Sequence, residues 1–301
     1  MILSPIALFT YNRPDHTRQT VEALLKNDLS GASELYVFSD GSRTAADNEK
    51  IRELREYIKS IVGFKKITLF QRESNLGLAP SIISGVTRII EKHDRIIVLE
   101  DDMVTSPWFL RYMNEALDFY RDEEQVISVH GYLYPVREEL PETFFLKGAD
   151  CWGWGTWKRG WNLFEQDGEK LLRELRERNL TRDFDFDCTY WYTRSLEEQI
   201  SGRIDSWAIR WYASAFLKDK LTLYPGRSLL RNIGTDDSGT NCHATDQFET
   251  TFSPEPVRIS RIPLEENQKG REAFKGFFRT LYPSLGKRVV NKIIRILCGN
   301  R

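Results

Sequence analysis

Four short apolar runs alternate with amphipathic segments over the first hundred residues. The runs consist mainly of aliphatic and aromatic residues, which is typical of strands buried on both faces of a mostly parallel sheet. The segments between them place apolar residues at helical spacing. The predicted strands cover 5–9, 35–38, 67–70 and 95–99, and the predicted helices cover 14–26, 45–61 and 80–93. This order predicts an α/β fold with a doubly wound sheet.

The remaining two thirds of the chain continue this pattern less regularly. We predict a helix over 107–120, strands over 126–129, 144–146 and 221–225, and helices over 162–179 and 206–217. Residues 230–243 are rich in Gly, Asp and Ser, and a loop of this composition is suited to closing over a ligand. The composition changes again at residue 254. The chain therefore divides into regions 1–125, 126–253 and 254–301.

Three consecutive acids, Glu100, Asp101 and Asp102, follow the fourth predicted strand. They lie at its carboxyl end, and in open α/β sheets this edge is where ligands bind. Adjacent carboxylates repel one another unless a cation is near, so a divalent metal with oxygen ligands explains the cluster. A solvated acidic turn is the alternative explanation, because short motifs are weak evidence.

Polar or flexible residues also follow the other predicted strands. The turn after the first strand is Thr-Tyr-Asn-Arg-Pro, the second strand ends at an aspartate, and a small-residue loop precedes the helix over 80–93. The N-terminus of that helix offers free backbone N–H groups to an anion. The candidate binding residues in these turns are Thr10, Asn12, Arg13, Asp40, Asn75 and Gly77.

Four tryptophans interleaved with glycine occur within residues 151–161. Their spacing fits neither a regular helix nor a regular strand. Indole rings beside a polar cleft suit the apolar faces of sugar rings, and packing in the core is the alternative. The candidates for contact with a saccharide acceptor are Trp152, Trp154 and Trp157.

Composition argues against nucleic acid as a partner, because the net charge is only −1. The four cysteines have no metal-binding spacing and are typical of reduced thiols in a cytosolic protein. The apolar start of the chain predicts a strand and not a signal peptide, and no apolar run reaches the ~18 residues of a membrane span. Residues 287–297 alternate cationic and aliphatic residues, which predicts a helix on an anionic membrane surface or one packed on the protein.

The chain contains, in this order, the segments ALFTYNRPDHTRQTVEALL, LYVFSDGS, ESNLGLAPSIISG, IIVLEDDMVTSPWFLRYMNEAL and DSWAIRW. These segments resemble the nucleotide-sugar glycosyltransferases of GT-A fold. Within that group the chain is most similar to the N-acetylglucosaminyltransferase I type and its bacterial relatives, from about residue 2 to residue 246. The acidic triplet after a hydrophobic strand is the most specific part of the resemblance.

The resemblance implies a GT-A fold, with a Rossmann-like, mostly parallel sheet flanked by helices, an acceptor-side α/β region and a C-terminal helical tail. It implies an inverting transferase that binds a nucleotide diphosphate sugar through a divalent metal, Mn²⁺ or Mg²⁺. In the family pattern Asp102 is the metal ligand, and Glu100 and Asp101 face the ribose and sugar of the donor. Arg13 approaches the nucleotide, and Asp40 contacts its base.

The resemblance also implies a catalytic base. The base of the family precedes a tryptophan, and the matching stretch here is Asp-Ser-Trp, which gives Asp205. The residues alone allow another role, because aspartate is among the best N-cap residues and a helix is predicted from residue 206. Ser238 matches the loop that closes over the diphosphate. Residues 1–125 then bind the donor, and residues 126–253 supply the acceptor side and the base.

We therefore predict a metal-dependent transferase that moves a hexosyl or N-acetylhexosaminyl group from a UDP-linked donor to a hydroxyl of a saccharide or lipid-linked saccharide. The predicted setting is the synthesis of a bacterial surface polysaccharide, in the cytoplasm or at the inner face of the membrane. No residue excludes retention of the anomeric configuration.

Three other classes fit part of the sequence. A nucleotidyltransferase also places carboxylates after a parallel strand, but it usually carries a Gly-rich loop after the first strand. A phosphatase with an aspartyl nucleophile needs a DxD turn at the same place. A non-catalytic carbohydrate-binding protein accounts for the tryptophans but needs neither the acidic triplet nor Asp205.

Overall fold

The structure is a computed structural model that describes residues 2–236, 238 and 244–281. Its first hundred residues fold as the sequence pattern predicts, with strands and helices in alternation. The elements are β1 (Ile6–Thr10), α1 (Pro14–Leu25), β2 (Glu34–Ser39), α2 (Asn48–Ser60), β3 (Lys66–Gln71), α3 (Leu78–His93) and β4 (Arg95–Glu100). The predicted α/β class is confirmed.

The rest of the chain adds shorter strands and several helices. In order they are β5 (Met103–Thr105), α4 (Phe109–Phe119), β6 (Val126–His130), β7 (Thr143–Lys147), β8 (Trp154–Trp157), α5 (Lys158–Trp161), α6 (Gly168–Glu177), α7 (Thr181–Phe184), α8 (Tyr192–Ile200), α9 (Ala208–Leu217), β9 (Leu221–Pro225), β10 (Leu230–Asn232) and α10 (Gln268–Leu281). The short strands β5 and β10 pair with each other and form a separate antiparallel ribbon.

In the described part of the chain, eight strands form the central sheet, in the order β3-β2-β1-β4-β8-β6-β9-β7. Strands β7 and β8 run against the other six, so the sheet is mostly parallel. Strand β1 pairs in parallel with both β2 and β4. The carboxyl ends of these three strands therefore lie side by side at one edge of the sheet, which is the GT-A-like arrangement.

Both faces of the sheet are covered, which explains why β4 shows no polar alternation. On one face, Ile97 and Leu99 pack in a cluster with the apolar sides of α1, α2 and α4. On the other face, Ile96 and Val98 pack in a cluster with α3, α9 and several tryptophans. The acids therefore begin where the double burial of β4 ends.

The tryptophan run contains a strand, so the prediction of irregular structure there is wrong. Strand β8 lies between β4 and β6, with Gly155 paired to Ile97 and Val129. A Cβ at Gly155 would lie 3.0 Å from the Met113 Cε and 3.1 Å from the backbone oxygen of Ile96. The glycine is therefore what lets β8 fit closely beneath α4.

The helix predicted over 162–179 is shorter than expected. It begins at Gly168 as α6, because the side chain of Asp167 accepts a hydrogen bond from the backbone N–H of Lys170 at 3.0 Å. An aspartate at this N-cap position satisfies a free N–H group of the first turn. The loop predicted over 230–243 also needs correction, because its first three residues form β10.

The pattern did not predict α10, which packs on the body of the protein through Phe274 and Phe278. Arg271 on α10 donates a hydrogen bond to Asp183 at 2.6 Å. The basic segment 287–297 lies outside the described residues. Among the helices that the structure describes, none combines the length and apolar character needed to cross a membrane.

Candidate functional site

A cavity of about 290 Å³ opens at the sheet edge where β1, β2 and β4 end. It collects residues from seven separate stretches of the chain. Several of them follow parallel strands, which deliver their following turns to one edge. All of the predicted site residues line it except two tryptophans. Those that line it are Thr10, Asn12, Arg13, Asp40, Asn75, Gly77, Glu100, Asp101, Asp102, Trp152, Asp205 and Ser238.

Arg13 joins the turn after β1 to the acids after β4. Its Nη2 donates a hydrogen bond to Asp102 Oδ2 at 2.8 Å and another to Asp101 Oδ1. Burial lowers the pKa of Arg13, but the charges of Asp101 and Asp102 outweigh burial and raise it above its ordinary value. Arg13 therefore stays charged and offsets one of the three neighbouring carboxylates.

The pKa values of Glu100 and Asp101 are raised above those of ordinary carboxyl groups. Burial raises the pKa of Glu100 to about 8, and the charges of Asp102 and Asp101 add to the shift. Burial also raises the pKa of Asp101 to about 6, although Arg13 acts in the opposite direction. Burial, together with the repulsion between the acids, disfavours their charged forms, and a bound cation would favour those forms.

Two buried polar atoms beside this cluster have no hydrogen-bond partner among the described residues. They are Asp102 Oδ1 and Arg13 Nη1. One is an acceptor suited to a cation, and the other is a donor suited to an anion, so together they fit a metal and a phosphate. Within the described residues no three His, Cys, Asp or Glu side chains lie close enough to hold a metal alone. Mg²⁺ commonly takes one or two carboxylates and completes its shell with water and substrate phosphates, which fits this site.

The segment after β10 closes against the same carboxylate. The backbone N–H of Ile233 donates to the Asp102 carbonyl at 2.9 Å. A Cβ at Gly234 would overlap Asp102 Oδ2 and would lie 3.0 Å from Arg13 Nη1. Only glycine therefore fits between this segment and the Arg13–Asp102 pair.

Asp40 binds backbone groups of its own turn and of the loop before α3. Its carboxylate accepts hydrogen bonds from Gly41 and Leu76 at 3.0 Å and from Gly77 at 3.1 Å. These bonds tie the end of β2 to the loop before α3. The predicted contact of Asp40 with a nucleotide base stays a prediction.

Asp205 lies against the first turn of α3. Its Oδ2 accepts a hydrogen bond from the backbone N–H of Ala79 at 3.3 Å. The alternative role as N-cap of the following helix is wrong, because α9 begins at Ala208 and Trp207 occupies its N-cap position. Within that turn it is the Ser206 hydroxyl that accepts the N–H of Ile209, at 3.3 Å.

The acceptor-side prediction needs correction for two of its three tryptophans. Trp154 is fully buried, and its ring stacks on Trp207 at 5.3 Å. Trp157 is buried as well, and its Nε1 donates to the Leu117 carbonyl at 3.1 Å. Both belong to β8 at the centre of the sheet, so core packing explains them. Trp152 lines the cavity, with its ring edge-on to Tyr132 at 4.8 Å.

The remaining predicted residues line the cavity while bound to other parts of the protein. The Asn12 side chain donates to Asp47 at 2.6 Å, and the Asn75 side chain donates to the Gly41 carbonyl at 3.0 Å. The Thr10 hydroxyl donates to the Phe38 carbonyl at 3.4 Å. Ser238 bonds to Asp236, and residues 237 and 239–243 of the same loop lie outside the described residues.

Sequence reasoning missed several residues of this cavity. Arg43 lies exposed at its rim, and its backbone N–H donates to the Tyr11 hydroxyl at 3.0 Å. Trp207 lines the wall next to Asp205. A signal for Arg43 was present, because it follows the Asp-Gly-Ser turn after β2, where side chains meet the sheet edge.

Residues 6–166, just over half of the chain, match the family model described as Glycosyl transferase family 2. Comparison with curated proteins finds no match. Among solved structures, the chain is similar to the mannosyltransferase PcManGT from Pyrobaculum calidifontis in complex with GDP-Man and Mn²⁺, at 14% identity and a TM-score of 0.31 over 42% of this chain and 35% of that one.

The chain is also similar to S. aureus TarS 1–349. That likeness has 14% identity and a TM-score of 0.33, over 49% of this chain and 41% of that one. The complex of TarS 1–349 with UDP gives 15% identity and a TM-score of 0.34, over 50% of this chain and 41% of that one. The chain thus spans less than half the length of each of these proteins.

Proposed function

Because this chain belongs to glycosyl transferase family 2, we propose that it transfers a sugar from a nucleotide diphosphate sugar to a hydroxyl of a saccharide acceptor. One observation carries the proposal. Among the described residues, Asp102 and Arg13 each keep one unpartnered buried polar atom, they bind each other at the end of β4, and both line the cavity that Asp205 also lines. A group suited to a cation, a group suited to an anion and a candidate base therefore border one space, which supports this reaction.

In this proposal Asp102 holds a divalent cation, Mn²⁺ or Mg²⁺, together with the phosphates of a UDP-linked donor. The cation supplies Lewis-acid stabilisation of the charge on the leaving diphosphate. Arg13 adds a second positive group at the same place, and its raised pKa keeps it charged at neutral pH. Glu100 and Asp101 are proposed to face the ribose and the sugar.

Asp205 is proposed to act as general base. The acceptor oxygen forms a bond to the anomeric carbon while the bond from that carbon to the phosphate oxygen breaks, and the hydroxyl proton passes to the Asp205 carboxylate. A base and a leaving group on opposite sides of the sugar give single displacement with inversion. We propose this outcome, as in the N-acetylglucosaminyltransferase I type that the sequence resembles.

The acceptor side is proposed to lie in residues 126–253, with Trp152 as the aromatic contact. The acceptor is proposed to be a saccharide or lipid-linked saccharide of a bacterial surface polysaccharide. The basic segment 287–297 is proposed to hold the protein on the inner face of the membrane. Release of the full chain from membranes by salt supports this location, and full solubility at low salt contradicts it.

The first test is calorimetric binding of UDP, GDP and dTDP, each with and without Mn²⁺. We expect UDP to bind in the presence of Mn²⁺, and Asp102→Ala to abolish that binding. Asp122→Ala is the matched control, because the Asp122 side chain is 87% exposed and lies outside the cavity. Binding of another nucleotide would change the donor, and no binding of any nucleotide would leave a carbohydrate-binding protein as the better explanation.

The second test separates binding from chemistry. Asp205→Asn keeps the size of the side chain but removes its basicity, so we expect nucleotide binding to persist while sugar transfer falls by about 10²–10⁴-fold. Transfer at the wild-type rate in this variant would show that another group takes the proton. The configuration of the product, read by NMR, tests inversion directly.

A further inference from the structure

The turn that leads into α3 is held by two carboxylates from distant parts of the chain. On one side, Asp40 accepts the backbone N–H groups of Leu76 and Gly77, at 3.0 and 3.1 Å. On the other side, Asp205 accepts the N–H of Ala79 at 3.3 Å. The turn over 76–79 therefore lies between the end of β2 and the residue proposed as base.

The Asp40 side of this arrangement is firmly anchored. Asp40 is only 5% exposed, and its carbonyl accepts a hydrogen bond from Arg55 Nη2 at 3.1 Å. The same Arg55 nitrogen donates to the carbonyl of Arg72 at 2.7 Å. Arg55 thus links the residues that follow β2 and β3. Asp40 is held by this link, and its carboxylate in turn holds the backbone of Leu76 and Gly77.

The Asp205 side depends on a single bond. Among the described residues, the N–H of Ala79 is the one hydrogen-bond donor to the Asp205 carboxylate. Asp205 precedes α9 and does not cap it, so its own helix does not fix its orientation. The side chain is therefore oriented by the first turn of α3, which is 126 residues away along the chain.

Gly77 makes the close approach between the two sides possible. Its φ of +85° lies in the region that favours glycine, and a Cβ there would lie 3.3 Å from Asp205 Oδ2. A larger residue would strain the turn and push against the carboxylate. Glycine at this position keeps the path between Asp205 and Ala79 open.

We propose that the turn over 76–79 is a positioning bridge that sets the orientation of the Asp205 carboxylate. Asp40 fixes the turn, and the N–H of Ala79 aims the carboxylate toward the incoming hydroxyl. Asp40, Gly77 and Ala79 are then positioning residues that act through Asp205. This inference rests on the proposed function only in naming Asp205 as the base.

The bridge itself is tested by amide hydrogen exchange at single residues, which needs neither donor nor acceptor. Asp205→Ala is expected to speed exchange of the Ala79 amide at least about fivefold, as when a helix loses a capping carboxylate. The Leu76 and Gly77 amides should not change, because Asp40 still binds them. Asp167→Ala calibrates the effect, since Asp167 accepts the N–H of Lys170 in the same way at 3.0 Å.

The positioning role is tested by a pair of variants at Ala79. Ala79→Pro removes the N–H, and proline is tolerated in the first turn of a helix. Ala79→Gly keeps the N–H and serves as the matched control. We expect the proline variant to lower kcat for sugar transfer at least tenfold with the KM for the donor unchanged, whereas the glycine variant stays near wild type.

These outcomes separate the two proposals. Equal exchange of the Ala79 amide in the wild type and in Asp205→Ala overturns the bridge, whatever the enzyme transfers. Faster exchange with equal kcat for the proline and glycine variants shows that the bridge exists but overturns its positioning role. A wild-type protein that binds no nucleotide refutes the proposed function, and the exchange result stands by itself. If Ala79→Pro does not fold, Asp40→Asn replaces it, with faster exchange at Leu76 and Gly77 and reduced kcat expected.

Discussion

Replacing Arg13 by methionine tests whether this side chain compensates the acids at the end of β4. The guanidinium is 15% exposed, and the two carboxylates that it binds, Asp101 and Asp102, are 5% and 10% exposed. Methionine has a similar length but no charge. Removing one partner from a buried ion pair leaves an uncompensated charge and typically costs about 3–5 kcal/mol. For a chain of this size the loss corresponds to a fall in melting temperature of roughly 5–8 °C.

The pH dependence of this loss follows from the carboxylates that remain. Without Arg13 the pKa of Asp101 rises further above its unfolded value, so the folded state binds more protons than the unfolded state. A group of this kind gains stability as pH falls through its folded pKa. The difference between Arg13→Met and the wild type should therefore be largest near pH 8 and smaller near pH 5.5.

Urea unfolding of both proteins at these two pH values measures the effect. Arg52→Met is the matched control, because the Arg52 side chain is 58% exposed and its ion-pair partners among the described residues are exposed glutamates. It should change the free energy of unfolding by less than about 0.5 kcal/mol. If Arg13→Met costs no more than this control at pH 8, the acids do not depend on Arg13 and the electrostatic account of the site is wrong. Addition of Mn²⁺ should restore part of the loss if Asp102 binds the cation.

Three further predictions follow from the packing around the site. Gly234→Ala should weaken Mn²⁺-dependent nucleotide binding more than about tenfold, because the added methyl group displaces the Arg13–Asp102 pair. Gly276→Ala is the control, since a Cβ at Gly276 would lie 3.8 Å from its nearest neighbour, Glu138. Burial lowers the pKa of His130, so the unfolded state takes up the proton at a higher pH than the folded state does. The free energy of unfolding should therefore decrease as the pH is lowered past about 6.5. Urea unfolding should not show this decrease in His130→Gln. Trp154→Ala should lower the free energy of unfolding, measured in urea, by about 3–5 kcal/mol. Trp152→Ala should lower it much less and should instead weaken saccharide binding. Equal losses of stability in the two variants would contradict their different placement.

Local patterns in the sequence were sufficient to predict the first third of the fold. Strands β1 to β4 and helices α1 to α3 are consistent in composition and periodicity, and each is long enough to bury an apolar face. The order of strands and helices predicts a parallel sheet, and a parallel sheet brings the turns after its strands to one edge. Residues as far apart as Thr10 and Asp102 are therefore predictable as neighbours from the order of the elements alone.

The tertiary structure decided which side chains are buried and which partners they have, because local patterns contain no information on contacts between distant segments. Trp152, Trp154 and Trp157 are the same residue type within a few positions, yet one lines the cavity and two lie in the core, because Gly155 lets β8 enter the sheet. Asp205 is of a residue type that is common at N-caps and lies just before a helix, but its carboxylate accepts its hydrogen bond from Ala79, 126 residues away.

The sequence by itself therefore determined which residue types reach the sheet edge, since strand ends are set by local hydrophobicity. Only the tertiary structure decided which of those side chains are free and which are bound. Asp40 binds three backbone N–H groups, whereas Asp102 keeps an unpartnered oxygen among the described residues. Both are aspartates after a buried strand, and they differ because contacts between distant segments satisfy one of them and leave the other available.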